Sequence, residues 1–249
     1  MSSRTVVYYP GCSAKTTERA YLKTAVFVLR KLGVEPMILD RAPCCGTLEA
    51  ELVDVNIVRG LAGIIMREAR SSMVITGCSG CYSNINRGGG KAEHLVKFLH
   101  DEIGLDRIEE NVIRRLNLRA ATYYGCQALR PREIAIDDPE DPNMLEDLMR
   151  AIGVTPIDFS MRLKCCGGPL TLRRPEAARK MARSVVRSAE LSGADCIVTM
   201  CNLCHFMLDF YGGSLPVLHF TQLMARAMGE SPEELGLEEH FTPVPRTLL

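Results

Sequence analysis

The 249-residue sequence contains no tryptophan, no excess of either charge and no long apolar run. Its 30 basic residues balance its 30 acidic residues, so no strong electrostatic field is available to attract nucleic acid or a membrane surface. No apolar run approaches the roughly 18–20 residues that a membrane-spanning helix needs. Residues 1–10 lack the basic segment and the apolar run of a signal peptide. We therefore expect a cytoplasmic protein with no membrane span and no nucleic-acid partner.

Cysteine, by contrast, is abundant, with eleven residues. Cytosolic cysteines stay reduced, so this abundance indicates metal or redox chemistry rather than disulfide bonds. Ten of the eleven fall into two sets. The first set is Cys12, Cys44, Cys45, Cys78 and Cys81, and the second set is Cys126, Cys165, Cys166, Cys201 and Cys204. Only Cys196 is left over, and because it lies in an apolar stretch we expect it to be a core residue.

The two sets repeat one pattern, which is a lone cysteine, then Cys-Cys-Gly, then Cys-x-x-Cys. The lone cysteine precedes the pair by 32 positions in the first set and by 39 in the second. The motif Leu-Gly-Val-Glu-Pro at 32–36 is repeated as Ile-Gly-Val-Thr-Pro at 152–156. This is an internal duplication of roughly 120 residues. It predicts two cysteine-rich domains, residues 1–117 and 118–249.

Hydrophobic periodicity predicts an α/β fold in which each cysteine group follows a strand and precedes a helix. The predicted strands are 4–9, 34–39, 73–76, 118–124, 154–159, 195–200 and 215–219. The predicted helices are 17–32, 48–69 with a weak point at Gly60 and Gly63, 94–103, 106–116, 143–152 and 175–191. The carboxyl ends of parallel strands are where open α/β sheets bind ligands. We therefore expect in each domain a small, mainly parallel sheet whose loops at that edge carry the cysteines.

Five thiolates exceed what a simple metal site requires. Four sulfur ligands suffice for zinc or for a cubane iron–sulfur cluster. Adjacent cysteines point in different directions unless the backbone bends, so binding one ion with both is awkward, whereas a larger cluster accepts both. The pattern favours iron–sulfur clusters, with zinc in one or both sites as the alternative and purely structural cysteines as a further one.

The motifs Tyr-Pro-Gly-Cys at 9–12, Cys-Cys-Gly at 44–46 and 165–167, and Cys-Asn-Leu-Cys-His at 201–205 resemble the cysteine-rich CCG-domain family, in particular the HdrB subunits of heterodisulfide reductases. The resemblance covers nearly the whole chain. It implies two domains related by a pseudo-twofold axis. It also implies that each five-cysteine set holds a noncubane [4Fe-4S] cluster, and that the two clusters face each other.

The same resemblance implies an oxidoreductase component that cleaves or forms a disulfide of small thiol substrates. We predict Cys45, Cys166 and His205 as catalytic, with His205 donating a hydrogen bond to a cluster sulfur or a proton. His94, His100, His219 and His240 show no constellation. Alternatives are an electron-relay component of a sulfur-oxidising heterodisulfide-reductase-like, succinate dehydrogenase or thiol:fumarate reductase complex, or a zinc-containing structural module.

Electrons must reach such a protein from another one, because the glycine-rich fingerprint of flavin and nicotinamide sites is absent from the sequence. The resemblance implies two partners in the same complex. One is an HdrC-like iron–sulfur protein of the ferredoxin type, and the other is an HdrA-like flavoprotein.

Overall fold

The computed structural model describes residues 4–249, with Leu48 described by its backbone alone, and it contains two four-stranded sheets. The predicted strand 4–9 is observed as a strand that begins at Arg4, and residues 1–3 lie outside the described part. Every strand pairing is parallel. The strands of the first sheet, in the spatial order β2-β1-β3-β4, are β1 (Arg4–Tyr8), β2 (Val34–Ile38), β3 (Val74–Thr76) and β4 (Ala92–His94). Those of the second, in the order β6-β5-β7-β8, are β5 (Arg119–Tyr123), β6 (Thr155–Ile157), β7 (Cys196–Thr199) and β8 (Val217–His219).

Helices flank both sheets. They are α1 (Arg19–Lys31), α2 (Thr47–Val53), α3 (Val55–Glu68), α4 (Ser79–Arg87), α5 (Leu95–Lys97), α6 (Leu105–Glu110), α7 (Met144–Ala151), α8 (Pro175–Leu191), α9 (Asn202–Tyr211) and α10 (Phe220–Ala227). A π-helical segment, Phe98–Ile103, continues α5. Every residue of β7 is buried, as expected for a parallel strand covered on both faces. The predicted α/β class with mainly parallel sheets is confirmed, and Cys196 is a fully buried core residue of β7.

The two halves pack on each other reciprocally. Helix α1, which follows the first strand of the first half, packs against α10, which follows the last strand of the second. In the same way α7 packs against α5 and its π-helical continuation. A buried hydrogen bond of 2.8 Å joins the hydroxyls of Thr24 and Thr221 between α1 and α10. Equivalent elements therefore exchange places across the interface, as a pseudo-twofold relation requires.

The structure differs from the sequence predictions in three places, which are a helix break, an additional strand and a shorter helix. The predicted helix 48–69 is broken at Asp54, not at Gly60 or Gly63, because Asp54 is extended and its carboxylate accepts the Asn56 N–H at 2.9 Å to start α3. Strand β4 was not predicted, and it is held in place by the Asn86 side-chain amide, which pairs with both backbone groups of Ala92.

The predicted helix 106–116 ends at Glu110. The N–H groups of Ile113 and Arg114 instead donate to the carbonyl of Ala227, at the end of α10.

Candidate metal centre

The cysteines of the first half follow the ends of three neighbouring strands. Cys12 follows β1, the pair Cys44 and Cys45 follows β2, and Cys78 follows β3 and precedes the first residue of α4. The second half repeats this arrangement after β5, β6 and β7. Because all strands in a sheet are parallel, their carboxyl ends meet at one edge and bring the cysteines together.

The glycine after each cysteine pair bends the backbone. Gly46 has φ 89° and Gly167 has φ 88°, in the left-handed region where residues with a side chain are strained. This bend lets the Gly46 N–H approach the Cys44 sulfur at 3.4 Å and the Gly167 N–H approach the Cys165 sulfur at 3.3 Å. Adjacent cysteines point in different directions unless the backbone bends, and the same bend is present in both halves.

All ten cysteines of the two sets lie in one continuous series of contacting sulfurs. The series runs Cys12, Cys44, Cys45, Cys81, Cys78, Cys201, Cys204, Cys166, Cys165, Cys126. The distance is 3.5 Å from Cys12 to Cys44 and 3.4 Å from Cys45 to Cys81. The order of the second set reverses that of the first, and the two sets meet at Cys78 and Cys201, whose sulfurs are 3.9 Å apart.

The sulfurs perturb one another's ionisation. Hydrogen bonds with two neighbouring sulfurs lower the pKa of Cys45, Cys165 and Cys201, and for Cys165 the pKa falls to about 3. The hydrogen bond to Cys165, together with burial, raises the pKa of Cys126. Thiols must lose their protons to bind a metal, and the pKa is lowered at these three positions but raised at the other seven cysteines of the series.

Two tyrosines anchor the loops that carry the cysteine pairs. The Tyr9 hydroxyl donates to the carbonyl of Pro43 at 2.6 Å, immediately before Cys44. The Tyr123 hydroxyl donates to the carbonyl of Lys164 at 2.5 Å, immediately before Cys165. Each tyrosine lies three positions before the lone cysteine of its half. They are equivalent residues of the two halves.

Two glycines, one in each half, lie in close contact with the sulfurs. A Cβ atom on Gly11 would lie 2.9 Å from the Cys81 sulfur, and one on Gly125 would lie 3.1 Å from the Cys204 sulfur. A narrow cavity of about 30 Å³ beside the second set is lined by Cys166 and Cys204 and also by Ser79 of the first half. The donor set of five thiols in each half suits a sulfur-ligated metal cluster.

His205 follows Cys204 on α9, and each of its ring nitrogens lies near a group other than a cysteine. Its Nε2 donates to the carbonyl of Val217 at 3.1 Å, and its Nδ1 lies 2.6 Å from a carboxylate oxygen of Glu18. Both ring nitrogens face groups other than cysteine sulfurs, and the predicted hydrogen bond to a cluster sulfur stays a prediction. A proton-donor role of His205 stays a prediction.

The expectation that the other histidines form no constellation is wrong for two of them. His219 stacks on His205 with ring centroids 4.0 Å apart, and His240 approaches it edge-on at 4.9 Å. Sequence spacing gives no sign of this cluster, because its members come from three distant segments.

The fold and the paired sulfur sites define a class of protein, a duplicated cysteine-rich α/β domain. The family model described as CCG, cysteine-rich domain, matches residues 6–86 and 120–209. The two matches cover more than half of the chain and fall within its two halves. This chain therefore belongs to the CCG cysteine-rich domain family.

Individual relatives agree with this assignment. The chain is 26% identical to the HdrB protein of a CoB–CoM heterodisulfide reductase from Methanosarcina acetivorans, over 93% of this chain and 92% of that protein. It is 27% identical to the 8-methylmenaquinol:fumarate reductase membrane anchor subunit of Wolinella succinogenes, over 94% of this chain and 95% of that protein.

A solved structure shares the fold. A hypothetical protein from Helicobacter pylori superposes with a TM-score of 0.67 at 14% identity, over 97% of this chain and 52% of that one. In residues 4–249 of the present chain, none of the helices has the length and apolar character needed to cross a membrane.

Proposed function

We propose that this chain is the HdrB-type iron–sulfur protein of a heterodisulfide-reductase-like complex, and that it cleaves or forms a disulfide between small thiols. The observation that carries the proposal is the reversed series of ten sulfurs, in which two equivalent sets approach to 3.9 Å between Cys78 and Cys201. Two like redox centres placed end to end suit a two-electron reaction at one S–S bond. The similarity to the HdrB protein of a heterodisulfide reductase over nearly the whole chain supports the same reaction class.

Each set would hold one [4Fe-4S] cluster of the noncubane type. Cys12, Cys44, Cys45, Cys78 and Cys81 would bind the first, and Cys126, Cys165, Cys166, Cys201 and Cys204 would bind the second. Five thiols per set exceed the four that a cubane cluster uses, and this surplus supports the noncubane type.

When bound, the two clusters would supply one electron each, so that a disulfide takes up two electrons and two protons and yields two thiols. The chain would contribute position and exclusion of water. Tyr9 and Tyr123 hold the loops of the cysteine pairs at fixed positions. Cys45 and Cys166, the proposed catalytic cysteines, are 1% and 3% exposed. Pro169 and Leu203 provide apolar wall to the cavity beside the second set.

Substitution of the buried pair members tests this proposal. We expect Cys45→Ala and Cys166→Ala each to reduce disulfide cleavage to background in an anaerobic assay with a reduced dye as electron donor. The matched control is Cys196→Ala, which removes an equally buried thiol outside the two sets and should keep its activity. Circular dichroism shows whether each variant is folded. Unchanged turnover in folded Cys45→Ala and Cys166→Ala would refute the proposal.

A second candidate function is electron relay without disulfide chemistry. It is favoured by the similarity to the Wolinella succinogenes fumarate reductase protein, which covers both chains almost completely. A relay protein would be reduced and reoxidised by its partners, but it would not turn over disulfides in the dye assay. Wild-type protein that carries both clusters yet cleaves no disulfide would support the relay.

The proposed partners are an HdrC-like iron–sulfur protein of the ferredoxin type and an HdrA-like flavoprotein, because the chain carries no flavin or nicotinamide fingerprint. Similarity to proteins named as subunits of larger reductases supports such an assembly. Anaerobic co-expression followed by size-exclusion chromatography tests it, and separate elution of the three proteins would count against a stable complex.

A further inference from the structure

Three of the five histidines of the chain meet at a buried site outside the sulfur series, together with Glu18 of the first half. Glu18 and His205 are each 4% exposed, and His219 is 1% exposed. One oxygen of Glu18, Oε2, lies 2.6 Å from His205 Nδ1 and 2.9 Å from His219 Nε2. These three side chains thus offer three ligand atoms that lie within 4.8 Å of one another.

The hydrogen bonding of His205 fixes which of its nitrogens can act as a ligand. Its Nε2 faces the carbonyl oxygen of Val217, which can only accept, so Nε2 carries a proton. In a neutral ring Nδ1 then presents a lone pair. That lone pair lies beside an oxygen of Glu18, which is also an acceptor when ionised. A cation shared by the two groups resolves this contact, and that cation is either a second proton on the ring or a metal ion.

The contact between His205 and Glu18 is short but does not have the angle of an ordinary hydrogen bond. Although His205 Nδ1 lies 2.6 Å from Glu18, it makes no hydrogen bond of acceptable angle to any described residue. The His219 contact of 2.9 Å is a hydrogen bond to the same Glu18 oxygen, and a metal ion bound here would take the place of its proton.

The surroundings supply the outer hydrogen bonds that metal sites have. A histidine that binds a metal usually donates its other ring N–H to a carbonyl or carboxylate, which fixes its tautomer. His205 does so to Val217. Two histidines and one carboxylate form a ligand set known for Fe²⁺, and imidazole nitrogens also suit Zn²⁺.

His240 and Asp209 lie close by but are not in the proposed ligand set. His240 Nε2 faces the side-chain amide of Gln222 at 2.9 Å; this amide donates, so the ring proton of neutral His240 is on Nδ1. The Asp209 carboxylate already accepts hydrogen bonds from the backbone N–H groups of Phe241 and Thr242, at 2.8 and 2.9 Å. His240 therefore offers a control residue within the same cluster.

The first half does not repeat this ligand set. Tyr82 follows Cys81 as His205 follows Cys204, and His94 ends β4 as His219 ends β8. The Tyr82 ring meets His94 edge-on at 5.9 Å, and its hydroxyl donates to the carbonyl of Ile134 at 2.6 Å. A phenol replaces the imidazole at this position, so the ligand set is particular to the second half.

We propose that Glu18, His205 and His219 bind a single divalent transition-metal ion, Fe²⁺ or Zn²⁺, separate from the cysteine sets. The ion would cross-link the two halves. Glu18 lies between the Cys12 loop and α1, whereas His205 lies on the helix that carries Cys204. The ion would therefore fix the Cys12 loop of the first half relative to the Cys204 helix of the second.

Zinc is the probe for the experiment. The full chain is purified without oxygen from zinc-supplemented cultures, and iron, zinc and acid-labile sulfide are measured per chain. X-ray absorption at the zinc edge identifies the ligand atoms. We expect about one zinc per chain, in keeping with a single three-residue site, with nitrogen and oxygen ligands in the wild type and in His240→Asn. Glu18→Gln and His219→Asn should weaken zinc binding by more than about 100-fold while iron and sulfide stay unchanged.

Three results would overturn the proposal. The first is the absence of nitrogen- and oxygen-ligated zinc in the wild type. The second is zinc with sulfur ligands only, which would place the metal in a cysteine set. The third is full zinc content in both Glu18→Gln and His219→Asn. The wild-type measurement stands even if a variant fails to fold. Because iron and sulfide are measured in the same samples, failure of this site is distinguishable from failure of the cysteine sets to bind clusters.

Discussion

Gly167→Ala should damage the second cysteine set through backbone geometry alone. Gly167 has φ 88°, and a Cβ atom there would lie 2.9 Å from both the Cα and the carbonyl oxygen of Ala178. The left-handed conformation costs a residue with a side chain about 1–2 kcal/mol. Because the atoms of Ala178 are backbone, they cannot move aside independently of α8, and such overpacking adds about 1–3 kcal/mol.

A second glycine separates these two effects. Gly89 has φ 85°, but a Cβ atom on it would meet no described atom within 4 Å. Gly89→Ala should therefore cost only the conformational part, about 1–2 kcal/mol. Gly167→Ala should cost the sum, about 2–5 kcal/mol. In a chain of this size each kcal/mol lowers the melting temperature by about 2–4 °C.

The assay is anaerobic thermal unfolding followed by circular dichroism, with iron and sulfide measured on the same samples. We expect Gly167→Ala to melt well below Gly89→Ala and to lose about half of its iron, because one of the two [4Fe-4S] sites is affected. Equal melting temperatures with full iron content in both variants would show that the bend at Gly167 is not needed to form the site.

Two further predictions concern the groups that support the sites. Tyr123→Phe removes the hydroxyl that donates to Lys164 at 2.5 Å and leaves that carbonyl without its donor, so calorimetry should show a loss of about 1–3 kcal/mol; an unchanged unfolding free energy would contradict the anchoring role. Burial lowers the pKa of His94 from 6.5 to about 4. The folded pKa is thus below the unfolded one, so stability is fully present above pH 6.5 and falls as the pH drops from 6.5 towards 4, by roughly 3 kcal/mol. Urea titrations across this range should show a smaller loss for His94→Asn, and an equal loss in both proteins would contradict the assignment.

The convergence of the cysteines was predictable because two simple rules determine it. Parallel strands place their carboxyl ends at one edge, and each cysteine group follows a strand. The fully buried strand β7 and the long helix α8 have strong patterns, and the predicted helix 175–191 agrees with α8 residue for residue. Cys196 was likewise predictable from its apolar neighbours.

Features held by distant side chains were not predictable from local patterns. Strand β4 has three residues after a glycine-rich stretch, and the amide of Asn86 holds it. The predicted helix 48–69 breaks at Asp54 because the carboxylate of Asp54 caps α3. Local sequence patterns instead indicate the two glycines as the weak point of this helix.

The cluster of Glu18, His205 and His219 joins the start of α1, helix α9 and the end of β8, which lie far apart in the sequence and meet only through tertiary packing. The equivalence of Tyr9 and Tyr123, in contrast, could have been found by counting back from the lone cysteines.

The measurement that tests the central claim most directly is the iron and acid-labile sulfide content of protein purified without oxygen. Two four-iron clusters predict about eight irons and eight sulfides per chain, with a brown colour. Sulfur-ligated zinc in place of one cluster, with about four irons remaining, would leave a single redox centre. That result would contradict the paired one-electron mechanism and leave electron relay or a structural role as the function of the chain.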